Sequence, residues 1–319
     1  MSARRGILAL VALVVFSVAA TACDSGSDAK RSAPSTTTTT TAPAAPVVDC
    51  GNPVASLAPL DPMPAPGNMP AGSYMAEIQR RGRLIAGVSA DTLLFGYRNP
   101  LSGQLEGFDI DLVRQVAQAI FGDPNRVDYK VVTYAQRIPS LLDGSVDIIA
   151  DVMTVNCERW QQISFSSQYF DAGQKILVRS DSPVTDISQL NGKRMCAANG
   201  STNIDNLKNY PKVIVVPVDD ISDCMVLFQQ GTVDSVTGDD TVLAGFVAQD
   251  PYAKIVGAPL TSEPYGLGVA KTHPEFVRFV NGVLADLRAD GTWKQMYSRW
   301  LQPTGAVPDP PVAVYGRNQ

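Results

Sequence analysis

The chain has 319 residues, 45% of them hydrophobic and 18% charged, with a formal net charge of −5 and one histidine. That balance supports a buried core and excludes global disorder. A mildly acidic chain also lacks the basic face that nucleic-acid binding needs, so no nucleic-acid partner is expected.

Arg4 and Arg5 precede an uncharged stretch over residues 7–20. That stretch is too short to span a bilayer as a mature helix, and residues 1–22 read as a signal peptide. Ala20, Thr21 and Ala22 lead into Cys23, which resembles the lipobox of bacterial lipoproteins, although Ala20 stands where that pattern usually has Leu. The resemblance implies that Cys23 carries lipid and becomes the mature N-terminus; ordinary secretion with cleavage near Ala22 is the alternative. Either route exports the body and removes two positive charges. Residues 23–72 are rich in Ser, Thr, Pro and Ala, with threonine throughout residues 37–41. Such a segment has little to bury and is expected to remain an extended spacer.

The folded part is expected to begin near Tyr74, with a helix over residues 75–81 ended by Gly82 and a strand over 83–88. Ile110, Val113, Val116, Ala117 and Ile120 recur at helical spacing within 109–121, and residues 127–132 are β-rich. A helix over 138–143 stops at Gly144, and a buried strand follows over 146–150. This β-α-β-α-β order predicts an α/β domain with a mostly parallel sheet. A second set repeats it: after a strand at 176–179 come strands at 194–198, 213–216 and 235–237, alternating with helices at 202–209, 222–230 and 241–248. A strand at 265–270 and helices at 274–290 and 292–300 close the chain. That last piece has no sheet of its own, so it must return to the first lobe and the chain must cross between lobes twice. The expected division is residues 73–170 plus 266–303 for one lobe, 171–265 for the other, and a loose tail over 304–319.

With Cys23 lipidated, Cys50, Cys157, Cys196 and Cys224 remain. An even number outside the membrane suggests two disulfides, with three possible connectivities. Cys196–Cys224 is favoured because a strand and the start of a helix, close in sequence, can pack side by side; Cys50–Cys157 then follows by elimination. Buried free thiols are the alternative. No Cys-x-x-Cys spacing occurs, and neither a metal nor a cofactor is expected.

A series of short motifs carries a family signature. Among them are Gly107-Phe108-Asp109-Ile110-Asp111, Arg137-Ile138-Pro139-Ser140-Leu141, Thr154-Val155-Asn156-Cys157-Glu158-Arg159, Gly200-Ser201-Thr202, Gly231-Thr232-Val233-Asp234, Asp239-Asp240, Tyr265-Gly266 and Asp290-Gly291-Thr292-Trp293. In this order, from Gly82 to Leu301, the chain resembles the extracytoplasmic solute-binding proteins of the polar amino-acid type (family 3), which feed ABC importers. With its cysteines and front end it is most similar to actinobacterial glutamate- and glutamine-binding lipoproteins. The resemblance implies a type II periplasmic-binding-protein-like fold, two doubly crossed α/β lobes with a hinge near residues 169–173 and 261–266.

A free amino acid sets two chemical demands. Its carboxylate wants a guanidinium fork and exposed backbone N–H groups, which Arg159 and the Gly200-Ser201-Thr202 turn are placed to supply; the family puts the carboxylate at both. Its ammonium wants a buried acceptor of opposite charge. Asp239 sits where the family has its amine-binding aspartate, Thr154 adds a hydroxyl at the same end, and Asp240 reads as the N-cap of the next helix. Arg137, in its Arg-Ile-Pro context, resembles the arginine that reaches the ligand side chain in the glutamate- and aspartate-binding branch; the alternative is a solvated helix-start residue. Phe95 matches an aromatic laid over the ligand stem, with core packing as its alternative, and Asp151 completes the candidate set.

The expected function is extracytoplasmic binding of glutamate, aspartate or their amides by cleft closure, with delivery to an ABC permease. The protein is expected to act as a monomer lipid-anchored to the outer face of the cell membrane. One rival is a sensor lipoprotein reporting to a membrane receptor. The other is an enzyme on the same fold, a dehydratase or lytic transglycosylase. Against the latter, His273 in Thr-His-Pro reads as a helix-start surface residue, and no nucleophile–base pair is evident, so no catalytic residue is assigned.

Overall fold

The computed structural model describes residues 49–301 and 305–318. The expected signal peptide, Cys23 and the threonine run lie outside the described residues. Two central sheets organise the described chain. In the first, strands order as Val127–Val131, Leu84–Val88, Ile148–Ala150, Gly268–Ala270 and Ile163–Phe165. Its first three strands are parallel, and Gly268–Ala270 is antiparallel to both neighbours. In the second, the order is Ile214–Val218, Arg194–Ala198, Ser235–Asp239, Phe170–Arg179 and Ala253–Val256. Here too the first three strands are parallel and Phe170–Arg179 runs against its neighbours. The central parallel strands are buried on both faces: Leu84–Val88 and Ile148–Ala150 are apolar runs, as such burial requires, and Ser235–Asp239 is buried throughout despite its polar residues.

The helix Phe108–Phe121 places Ile110, Val113, Val116, Ala117 and Ile120 in the core at the spacing expected of one helical face. Gly107, its N-cap, has φ 133°, and a Cβ there would stand 2.1 Å from the Phe95 carbonyl oxygen. Only glycine meets both conditions. The closing helices Pro274–Ala289 and Thr292–Leu301 pack against Phe108–Phe121 and the first sheet.

Crossing between lobes is double. The chain enters the second sheet along Phe170–Arg179 and returns along Ser262–Tyr265. These two strands pair antiparallel, with Tyr265 opposite Phe170 and Ser262 opposite Gly173.

Both disulfides have the favoured connectivity, Cys50–Cys157 and Cys196–Cys224. Within the described residues, neither the end of the spacer nor the C-terminal tail is loose. Ala55–Ser56 and Val314–Tyr315 form a parallel two-stranded sheet. Ser56 donates from Oγ to the Phe165 carbonyl at 2.7 Å, and Asn281, fully buried, donates to the Leu57 carbonyl at 2.6 Å. Arg317 donates to the Ala55 carbonyl at 2.7 Å and lies 4.0 Å over the Trp160 ring. Leu57 and Met69 are buried, and Met63 fills the space above Gly282. These segments are extended, as their composition implies, but they are paired and packed.

Candidate functional site

The cleft between the two lobes is built from turns at the ends of central strands. On the first lobe, the strand Ile148–Ala150 runs into Asp151 and Val152. Val152 has φ 39°, a strained backbone for a β-branched residue costing roughly 1–3 kcal/mol. Two contacts hold it: the Val152 N–H donates to Asp109 Oδ2 at 2.8 Å, and Arg137 Nη1 donates to the Asp151 carbonyl at 2.8 Å. Asp109 also accepts from the Tyr169 hydroxyl at 2.7 Å. The Gly-Phe-Asp motif thus fixes the floor of the cleft from within the helix Phe108–Phe121, and burial raises the Asp109 pKa to about 7.

Arg159 reaches the cleft because Asn156 caps its short helix, accepting from the Arg159 N–H at 2.8 Å. Its guanidinium donates to the Thr154 carbonyl at 2.7 Å and, across the cleft, to the Gly200 carbonyl at 3.1 Å. Arg137 donates to that same Gly200 oxygen at 3.1 Å, and to the Tyr134 carbonyl through Nε at 3.1 Å. Burial, with Arg137 close by, lowers the Arg159 pKa to about 9.

On the second lobe, Gly200 has φ 74°, and a Cβ there would meet the Ala135 Cα at 2.6 Å. The two backbones touch. Ser201 caps the helix Thr202–Asn206 by accepting from the Ile204 N–H, and donates to the Ala198 carbonyl at 2.7 Å. Thr202 and Thr154, one from each lobe, both donate to Glu263 Oε2 at 2.6 Å. Asp239 accepts from Asn203 Nδ2 at 2.8 Å and from the Tyr265 hydroxyl at 2.7 Å. Burial, then the nearby Glu263 charge, holds the Asp239 pKa above the usual carboxylate range.

Arg159, Arg137, Thr154, Gly200, Ser201, Thr202 and Asp239 therefore converge on one cleft. Two expectations need correction. Phe95 is fully buried among Phe108, Phe170 and Tyr265, at ring-centroid distances of 5.2–5.9 Å, and does not line the cleft. The cleft aromatic is Tyr134, which stacks under the Arg137 guanidinium at 4.3 Å. Asp240 is not the N-cap of its helix; Asp239 occupies that position but spends its carboxylate on Asn203 and Tyr265. Glu263 was not legible as a site residue. Its only sequence signal is an acid in a strand between Ser262 and Pro264, and register with Ala172 brings it between the two threonines. His273 lies outside the cleft, stacked on Tyr74 at 3.6 Å.

The lobes are closed on each other. Besides the Gly200 contacts, the Ser222 N–H donates to Asp91 at 3.1 Å across the interface. The cavity left among Tyr134, Arg137, Thr154, Thr202 and Asp239 is about 10 Å³, room for roughly one water molecule. Anything larger requires the lobes to part.

Comparison with known proteins places these features in context. Residues 84–303 match the family model described as bacterial extracellular solute-binding proteins, family 3. The chain is 34% identical over 230 residues to the ABC transporter glutamine-binding protein GlnH of Bacillus subtilis, covering 72% of this chain and 84% of that one. It is 30% identical over 241 residues to the glutamate-binding protein GluB of Corynebacterium glutamicum, covering 72% and 81%. Among solved structures, holo ArgBP from T. maritima is similar with a TM-score of 0.64 at 33% identity, covering 70% of this chain and 99% of that one.

Proposed function

We propose that this chain, which belongs to the family 3 bacterial extracellular solute-binding proteins, takes a free polar α-amino acid between its lobes and delivers it to an ABC importer. The observation that carries this reading is the opposed pair Arg159 and Asp239. One is a buried guanidinium on the first lobe and the other a buried carboxylate on the second, both at the cleft. A zwitterion bridges them, its carboxylate on Arg159 with the Gly200-Ser201-Thr202 turn near, its ammonium on Asp239 with Thr154 near. Because each end of the ligand belongs to a different lobe, binding favours closure about the strands Phe170–Arg179 and Ser262–Tyr265.

In this reading residues 73–170 and 266–303 form the lobe that carries Arg159, and residues 171–265 the lobe that carries Asp239. The work is binding and release, without covalent chemistry, by a monomer held at the outer face of the membrane through lipid on Cys23. The glutamine- and glutamate-binding relatives support an amino acid with a polar side chain. A thermal-shift screen of the twenty amino acids tests it, since a ligand that binds only the folded state raises the melting temperature. Stabilisation by one or a few polar amino acids, abolished in Arg159→Ala, is expected. No shift with any amino acid, or an undiminished shift in Arg159→Ala, refutes it.

A further inference from the structure

Three buried polar atoms beside the cleft have no hydrogen-bond partner: both carboxylate oxygens of Asp151 and the hydroxyl of Tyr134. Asp151 is 1% exposed. A buried hydroxyl or carboxylate left unpaired loses its hydration without compensation, so such groups call for a partner. They are neighbours, each within the other's electrostatic reach, with Asp91 and Arg137 close to both. Thr92 lies alongside Tyr134 without reaching hydrogen-bond geometry. Tyr134 and Val152, the residue after Asp151, line the cavity itself. The Arg137 guanidinium, by contrast, is already committed, donating to the carbonyls of Tyr134, Asp151 and Gly200.

We infer that the side-chain subsite of this cleft is built for a primary carboxamide, that of glutamine or asparagine, with Asp151 accepting from the amide nitrogen and Tyr134 donating to the amide oxygen. The inference deepens the amino-acid reading above and rests on it. The complementarity is specific. A carboxamide offers two N–H donors and one carbonyl acceptor, matching an acceptor-only carboxylate and a phenolic O–H. A ligand carboxylate would face Asp151 as a like charge, which is tolerated only if a proton is taken up. Groups facing Asp151 are Arg137 and Arg159, which favour its ionised form, and Asp109 and Asp91, which oppose it; burial opposes it most and raises its pKa to about 7. A cationic side chain would satisfy Asp151 but would bring its charge beside the two arginines.

The test is calorimetric titration of the full chain with glutamine, asparagine, glutamate and aspartate at pH 7.5. Binding of at least one amide about tenfold or more tighter than its acid is expected, as a site built for donors rejects an analogue lacking them. Asp151→Asn, which turns an acceptor pair into a donor and an acceptor, should move the amide-to-acid affinity ratio by about tenfold toward the acid. A second readout needs no variant. In the native chain the glutamate-to-glutamine affinity ratio should rise several-fold from pH 7.5 to 5.5 as Asp151 protonates, while effects of Asp239 on the shared ammonium cancel in the ratio. Acid binding as tight as amide binding, a ratio unmoved in folded Asp151→Asn, or a ratio flat with pH overturns the inference and leaves the amino-acid reading standing. No binding by any amino acid overturns both.

Discussion

Gly200→Ala separates closure from folding, because the added methyl acts on each by a different route. The first is conformational: φ is 74° at Gly200, and a residue with a Cβ pays roughly 1–2 kcal/mol there in the folded state whether the lobes are open or shut. The second exists only in the closed form. The methyl would sit 2.6 Å from the Ala135 Cα and 2.7 Å from its nitrogen, against contact distances of about 3.5–4.0 Å. Both neighbours are backbone, so the lobes must part by about 1 Å. Two guanidinium donors, from Arg137 and Arg159, reach the Gly200 carbonyl at 3.1 Å, and that separation carries them out of hydrogen-bond range. Losing even one such charge-assisted bond costs about 1.5–3 kcal/mol, which is roughly ten- to 150-fold in ligand affinity. Gly192→Ala is the control: φ is 72° there, in the same lobe, and nothing stands within 4 Å of its Cβ. Both variants should melt earlier than the parent chain. Only Gly200→Ala should bind its amino acid weakly by calorimetry and keep a larger radius of gyration by small-angle scattering at saturating ligand. If the two variants bind alike, contact between Gly200 and Ala135 does not govern closure.

Three further outcomes follow from the same structure. Because Asp239 holds its proton above the usual carboxylate range but must be ionised to meet an ammonium, binding near pH 6 should release protons and weaken as pH falls. Titrations in buffers of different ionisation heat read this directly, and equal apparent enthalpies would refute it. The unliganded fold has the opposite sign: Asp109 and Asp151, with pKa values raised to about 7 by burial, keep protons that the unfolded chain gives up from about pH 4. Their stabilisation is complete below pH 4 and is lost as pH rises through 7, lowering the melting temperature across that range. Replacing each cysteine pair by serine should cost about 3.6 kcal/mol for Cys196–Cys224 and about 4.8 for Cys50–Cys157 by loop-entropy arithmetic, from sequence separations of 28 and 107. Urea unfolding that ranks the two the other way would show that the entropic account fails here.

Local signals made part of the site legible. Arg159 lies at the end of Thr-Val-Asn-Cys-Glu-Arg, Gly200 sits between a strand and a helix, and Asp239 ends the buried strand Ser235–Asp239. Each is placed at the cleft by chain a few residues away, so motif spacing was enough to locate it. Glu263 depends instead on antiparallel register between Ser262–Tyr265 and Phe170–Arg179, and on Thr154, 109 residues earlier; no local pattern encodes that. Phe95 failed for a related reason. An aromatic just after a strand can turn to the cleft or to the core, and Gly107 decided it by admitting the Phe95 carbonyl where any side chain would collide.

The same distinction explains the ordered ends of the chain. Proline, alanine and serine over residues 49–72 lower the hydrophobicity that drives spontaneous collapse, so composition predicts a spacer. Composition, however, weighs only what a segment can bury against itself. Here the partners are already folded: the Phe165 carbonyl, the Asn281 side chain, the Trp160 ring through Arg317, and a disulfide to Cys157. The ordering cost of an extended strand is offset by contacts to a preformed surface, with Cys50 fixing one end. Residues 49–72 and the tail that pairs with them at Val314–Tyr315 are thus part of the folded body.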